Sequence, residues 1–169
     1  MESEVSGDPA GYALAFEEGR AAVAEQASSL REMRDRTASL VSMAGLIAGL
    51  GASLILDDGR GARLDGPGVV AAIVAASAFV VIVVAAVKIW GPLTGNFVRD
   101  SAVIVGSYVD GDRPASLPEI HRALAIHLGN DAQQNREAIG IRLDWFAWAL
   151  RAFLALVAGL AVMILDVAR

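Results

Sequence analysis

The side chains able to do chemistry inside the apolar stretches of this chain are few: Ser39, Ser42, Ser53, Ser77 and Arg151. Ser39, Ser42, Gly45, Gly49 and Ser53 belong together. At 100° per residue they fall within about a third of a helix circumference, and Arg31 and Asp35 continue that face toward the N-terminus. Gly45 and Gly49 form a small-xxx-small pair, the spacing that lets helix backbones approach closely in lipid, where packing and serine hydrogen bonds hold helices together. The face has two readings. It packs against neighbouring spans of the same chain, or it meets further copies as an oligomer contact or the wall of a shared pore. Arg151 is the one ionisable residue within an apolar stretch, a position that by default raises a functional hypothesis. It snorkels to the membrane interface, pairs with Asp144 seven residues earlier, or rings a pore entrance.

Other chemistry finds no support in the residue types. The chain has no cysteine, which removes disulfides, thiol catalysis and thiolate metal sites. His121 and His127 stand six apart, not at the i, i+4 spacing of a shared metal on a helix, and read as surface or contact histidines. No phosphate-binding glycine loop, nucleophile elbow or zinc motif is present. The net charge of −5 gathers no basic patch for nucleic acid. The expectation is a protein that is not an enzyme, with no cofactor, no metal and no nucleic-acid partner.

The elements that carry these residues are set by hydropathy. Mean hydropathy is +0.51, and the apolar residues concentrate in 38–56, 69–87 and 145–165. An uncharged run of roughly 18 or more apolar residues is long enough to cross a hydrocarbon core as a helix. Asp57-Asp58-Gly59-Arg60-Gly61 and Asp65-Gly66-Pro67-Gly68 predict a tight polar turn over 57–68, joining the first two spans into a hairpin. Strands of such length would need a closed barrel, for which no other strands are visible. The second span runs over 69–90 and ends on Lys88, Trp90 and Gly91-Pro92: a snorkelling base, an interface aromatic and a helix stop.

Outside the spans, 1–10 reads as a flexible acidic tail and 11–37 as an amphipathic helix running into the first span. Its stripe of Phe16, Val23, Leu30, Met33, Leu40 and Ile47 wants a partner helix from this chain or another copy. The connection 91–144 is mixed; 100–109 suits a short helix or a strand, with helix preferred. Ser116 and Glu119 form a capping box. It opens a short helix expected to end at Leu128-Gly129, after which Asn130 or Asp131 caps a last helix from Ala132 to about Val167. The third span, 145–165, counts from Trp145, and Trp145 and Trp148 mark the interface to which Arg151 can reach. Lys and Arg flank the spans unevenly, ten in 1–37 and 88–144 against three at Arg60, Arg63 and Arg169. The positive-inside bias then places the N-terminus and 91–144 in the cytoplasm. No basic start precedes an early apolar core, so 38–56 reads as a retained span rather than a secretory signal.

The stretches EEGRAAVAEQASSLREMRDRTASLVSMAGLIAG and ASLPEIHRALAIHLGNDAQQNREAI, with the closing apolar helix, resemble small multi-pass membrane proteins of high-GC actinobacteria. The architecture is also similar to the two-transmembrane effectors of nucleotide-signalled phage defence, the SLATT and Pycsar membrane-effector classes. That resemblance implies a hairpin with cytoplasmic helices that oligomerises and breaches the membrane. This chain departs from it in having a third span and no nucleotide-binding domain, so a trigger would come from a partner or from the cytoplasmic helices. No site residues carry over.

The expected fold is an all-α membrane protein. A long N-terminal helix enters the first span, a hairpin leads to the second, a cytoplasmic helical connection follows, and a long C-terminal helix carries the third. The expected location is the bacterial inner membrane, multi-pass, with a cytoplasmic N-terminus. The expected function is non-enzymatic: a homo-oligomeric pore-forming or membrane-perturbing effector in the lipid bilayer. The alternative is a structural or regulatory scaffold whose helices 12–36 and 132–144 pack on each other or dock a cytoplasmic protein.

Overall fold

The computed structural model describes residues 8–56, 66–92 and 115–168, together with Val105, Gly106, Tyr108 and Asp110. Three long helices carry most of them: α1 (Pro9–Leu56), α2 (Gly66–Trp90) and α3 (Leu117–Val167), with no strand among the described residues. Of the turn expected over 57–68, residues 57–65 lie outside the described residues and 66–68 are instead the first turn of α2; the helix-or-strand choice for most of 100–109 also lies outside the described residues. Helix α1 opens at Pro9, two residues before the expected start at 11 and inside the expected tail. The Asp8 carboxylate accepts the Ala10 amide at 3.0 Å, and Pro9 takes the first helical position, where its missing N–H loses nothing.

The chain divides into two compact units. The first combines Met1–Arg31 with Leu93–Gly140. Here α1 and α3 run parallel: the Phe16 and His121 rings stack at 5.3 Å, a Cβ on Gly19 would touch Leu128, and the Gln26 amide donates to the Ala132 carbonyl at 2.9 Å. The positions turned inward on α1 are Phe16, Gly19, Val23, Gln26 and Leu30; on α3 they are Leu124, Leu128, Asp131, Asn135 and Ala138. Both series step by three and four, the heptad spacing of a coiled coil. Three of these ten positions are polar, which an apolar-run reading does not count.

The helix break expected at Gly129 is not there; α3 is continuous from Leu117 to Val167. A glycine inside a helix costs about 1 kcal/mol relative to alanine. That cost is outweighed because Leu124 and Ala132, on either side of Gly129, are both buried in the same unit. Asp131 is buried as well rather than standing at a helix start.

The second unit combines Glu32–Pro92 with Ile141–Arg169. Here α2 runs antiparallel to α3, with Gly159 against Ala71 and Ala75 and the Arg142 guanidinium donating to the Pro92 carbonyl at 3.2 Å. Its core gathers Leu40 and Ala44 from α1, Ala78, Ile82 and Ala85 from α2, and Ala149, Ala152 and Leu156 from α3. Alanine dominates this core, and small side chains let helix axes come close together. The tightest approach is at Gly159, where a Cβ would stand 3.0 Å from the Ala71 carbonyl oxygen and 3.1 Å from the Ala75 Cβ.

Helix α2 has a window of mean hydropathy 2.9 that is only 33% buried, and α3 has one of 2.2 that is 28% buried. Both helices are long and apolar enough to cross a membrane. At about 1.5 Å per residue, the 25 residues of α2 span more than a hydrocarbon core of about 30 Å. Ile73, Val80 and Val87 of α2 are 61%, 59% and 62% exposed, and Leu154 and Leu165 of α3 are 69% and 63% exposed. An apolar surface of this extent marks a face made for another apolar phase or partner.

Candidate functional site

The Ser/Gly face of α1 is open. Ser39, Ser42, Gly45, Gly49 and Ser53 are all exposed, and a Cβ on Gly45 or Gly49 would meet nothing within 4 Å. The expectation that this face packs on the chain's own spans is therefore corrected. Those contacts use the opposite side of α1, through Leu40, Ala44 and Gly51. The small-xxx-small pair that does pack within the chain is Ala71 and Ala75 of α2, received by Gly159 of α3. A glycine on one helix facing two alanines four apart on another is visible only once the helices are paired.

The serines of the open face are satisfied by their own helix. Ser39 donates to the Asp35 carbonyl at 3.1 Å, Ser42 to the Ala38 carbonyl at 2.9 Å and Ser53 to the Leu50 carbonyl at 2.8 Å. Bonded this way, a hydroxyl can face an apolar phase without an orphaned donor, while its oxygen remains an acceptor for a neighbouring helix. Leu46 and Leu50, 71% and 62% exposed, flank the glycines. The face is a shallow small-residue groove with apolar rims.

Arg151 is exposed, and its guanidinium lies 5.1 Å from the centre of the Trp148 ring. This is a cation–π contact, made toward the start of the apolar stretch. No ion pair joins Arg151 to Asp144, so the pairing reading is corrected: the arginine reaches its i−3 aromatic neighbour instead. Trp145 is half-buried beside Val81 and Ile141, and Trp148 is exposed. Lys88 and Trp90 are exposed on the last turn of α2, which stops at Gly91-Pro92 with the Gly91 amide on the Val87 carbonyl at 2.9 Å.

A polar group that the sequence reading did not single out lies where α2 ends. Arg142 is 8% exposed and donates to the Pro92 carbonyl, which follows the last turn of α2. Burial first, and the neighbouring Arg34 charge second, lower the Arg142 pKa below the ordinary arginine value; a guanidinium nonetheless stays charged. Half-buried Arg34 makes no hydrogen bond or ion pair among the described residues, and its Nε is buried without a partner. Thr37, fully buried one turn further on, returns its hydroxyl to the Met33 carbonyl at 2.8 Å. Arg142 continues the three-four spacing of α3, so its burial follows from the heptad and not from its residue type.

One recess is polar, lined by Glu25, Gln26, Ser29 and Arg136 of the first unit. A cavity of about 350 Å³ in the second unit is walled by Ala48, Gly51, Ala52, Ala72, Phe79 and Leu160, among others, all apolar. His121 is stacked on Phe16 and His127 is exposed. Among the described residues no three His, Asp or Glu side chains are grouped to hold a metal ion. Comparison with protein-family models, curated proteins and solved structures gives no match to this chain.

Proposed function

We propose that this protein is a three-span integral membrane protein that assembles with copies of itself through the Ser42–Gly45–Gly49–Ser53 face, and that its assembly perturbs or perforates the bilayer. The spans are 38–56, 69–90 and 145–165. The charge bias places the N-terminus and 91–144 in the cytoplasm of a bacterium, the membrane being its inner one. The observation that carries the reading is the openness of Gly45 and Gly49. Two glycines four apart, flanked by serines and with no other helix among the described residues within 4 Å of where a Cβ would stand, form the surface on which a second helix backbone can come closest. Four or more copies sharing that face would bring Ser39, Ser42 and Ser53 around a common axis, the weakly polar lining that a conduit through this protein would have.

The second reading is a membrane scaffold whose cytoplasmic helices pack on each other or dock another protein, and one observation favours the first of these. In the first unit α1 and α3 already pair, so the stripe of Phe16, Val23 and Leu30 is covered within the chain and not left for another copy. Mass measurement in native nanodiscs, followed by ion flux in liposomes, decides between the two. The effector reading expects a discrete oligomer of four or more and a flux that Gly49→Leu abolishes together with assembly. A monomer or dimer without flux supports the scaffold.

A further inference from the structure

The geometry points to a binding site for a zwitterionic lipid headgroup, one that carries a primary ammonium beside its phosphate, at Asp144, Trp145, Trp148 and Arg151. The inference rests on the membrane-spanning reading above, in which the third span begins at Trp145. A recess of about 310 Å³ lies there, lined by Val81 of α2 and by Ile141, Asp144, Trp145 and Trp148 of α3. All of these residues, and Arg151, belong to the second unit. Asp144, Trp148 and Arg151 are exposed and Trp145 is half-buried, so the recess is open to what surrounds the chain.

Positions 144, 148 and 151 step by four and three along α3 and share one face of it. That face presents, in order, a carboxylate, an indole ring and a guanidinium. The two charges are opposite and yet do not meet. The Arg151 guanidinium lies 5.1 Å from the centre of the Trp148 ring, and Asp144 makes no hydrogen bond or ion pair among the described residues. In reaching that ring the arginine has come back three residues toward Asp144, which leaves about 6 Å of helix rise between Trp148 and Asp144. A carboxylate that shares a recess with two indoles attracts a cation, because the ring faces are negative as well. The guanidinium offers a fork of N–H donors to phosphate oxygens. A headgroup with an ammonium and a phosphate a few bonds apart supplies both partners at once. The order agrees with the membrane: Asp144 stands just outside the span and Arg151 within it, as the ammonium lies no deeper than the phosphate that ties it to glycerol. The separation agrees too, the interfacial layer on each side of the hydrocarbon being roughly 5–8 Å thick. A primary ammonium can donate N–H to Asp144, which a quaternary one cannot. An anionic headgroup without a cation would set its phosphate against the carboxylate.

The test is native mass spectrometry of the detergent-solubilised full chain, titrated with phosphatidylethanolamine, phosphatidylglycerol, phosphatidylcholine or water-soluble phosphoethanolamine. The wild-type protein is expected to retain phosphatidylethanolamine in preference to the other two lipids. Asp144→Asn should lower that occupancy by roughly fivefold without lowering that of phosphatidylglycerol. Trp148→Ala should also lower it, and Arg151→Gln should weaken both lipids, since both carry the phosphate. The three side chains are exposed, so these changes leave the core in place. Arg20→Gln, in the other unit, should change nothing. Equal retention of the three lipids, or a phosphatidylethanolamine preference indifferent to Asp144→Asn, would overturn the site. Retention of phosphoethanolamine that needs Asp144, with no lipid adduct, would keep the site and overturn the lipid as its ligand. The membrane reading fails separately: it falls if alkali extracts the wild-type chain from membranes in soluble form.

Discussion

Replacing Gly159 with leucine should separate α3 from α2 and cost the second unit much of its stability, while Gly45→Ala should cost nothing. A Cβ at 159 stands 3.0 Å from the Ala71 carbonyl oxygen and 3.1 Å from the Ala75 Cβ. Ordinary contacts between carbon atoms fall at about 3.5–4.0 Å, and a gap opened by 0.5–1 Å forfeits a quarter to a half of each contact's well. Helix α3 must therefore back away by roughly half an ångström for the Cβ alone, loosening Ala152 and Leu156, which share the core with Ala78 and Ile82 of α2. The three further carbons of leucine take the change to the upper end of overpacking, about 3 kcal/mol. At position 45 the added Cβ meets no described atom within 4 Å beyond the backbone of its own helix, so alanine changes stability by between zero and a gain of about 1 kcal/mol from helix propensity. The assay is unfolding of the detergent-solubilised protein by sodium dodecyl sulfate, followed by circular dichroism at a detergent-to-protein ratio that keeps the chain monomeric. An unchanged midpoint for Gly159→Leu, or a comparable loss for Gly45→Ala, would refute the assignment of the packed and open faces.

Gly129→Ala should raise stability in the same assay by about 0.5–1 kcal/mol, because Gly129 is exposed within a continuous helix and its added Cβ meets nothing; a loss would indicate a helix end at that point. Gln26→Leu should leave stability unchanged or raise it. The substitution gives up one bond to the Ala132 carbonyl but removes Oε1, which is buried without a partner; a clear loss of midpoint contradicts this. The Ser116 hydroxyl and amide both donate to the Glu119 carboxylate at 2.7 Å and hold its pKa below the ordinary 4.5. With the folded value depressed, that cap contributes fully above pH 4.5 and is lost as the pH falls below it. Ser116→Ala should move the Glu119 titration, read from its carboxyl carbon resonance, back up toward 4.5, and an unmoved midpoint would remove the cap.

The long helices were legible because their signals are local and repeated. Val23, Leu30, Met33 and Leu40, picked out by spacing, are all buried, and Gly91-Pro92 stops α2 as Pro and Gly dictate. Two things were not legible. The continuity of α3 through Gly129-Asn130-Asp131 depends on packing against a helix a hundred residues away, which outweighs a local stop signal. The burial of Asn135, Thr37 and Arg142 follows from their heptad positions, whereas a reading by apolar runs assigns such residues to the surface. For the candidate site, the sequence identified the Ser/Gly face but not the side of the fold on which it lies. Gly45-x-x-x-Gly49 and the Gly159 contact with Ala71 and Ala75 use the same small-residue chemistry, and only the paired helices show which one the chain fills itself.

The absence of cysteine makes one measurement especially direct. Single cysteines placed at Ser42, Gly45 or Gly49 on the open face, and at Val81 of α2 and Leu154 of α3 for comparison, can be oxidised in native membranes and scored for disulfide-linked dimers. Assembly through the open face predicts rapid cross-linking at positions 42, 45 and 49 and little at 81 or 154. Cross-linking that is absent from the Ser/Gly face, or no faster there than at Val81 and Leu154, would contradict it.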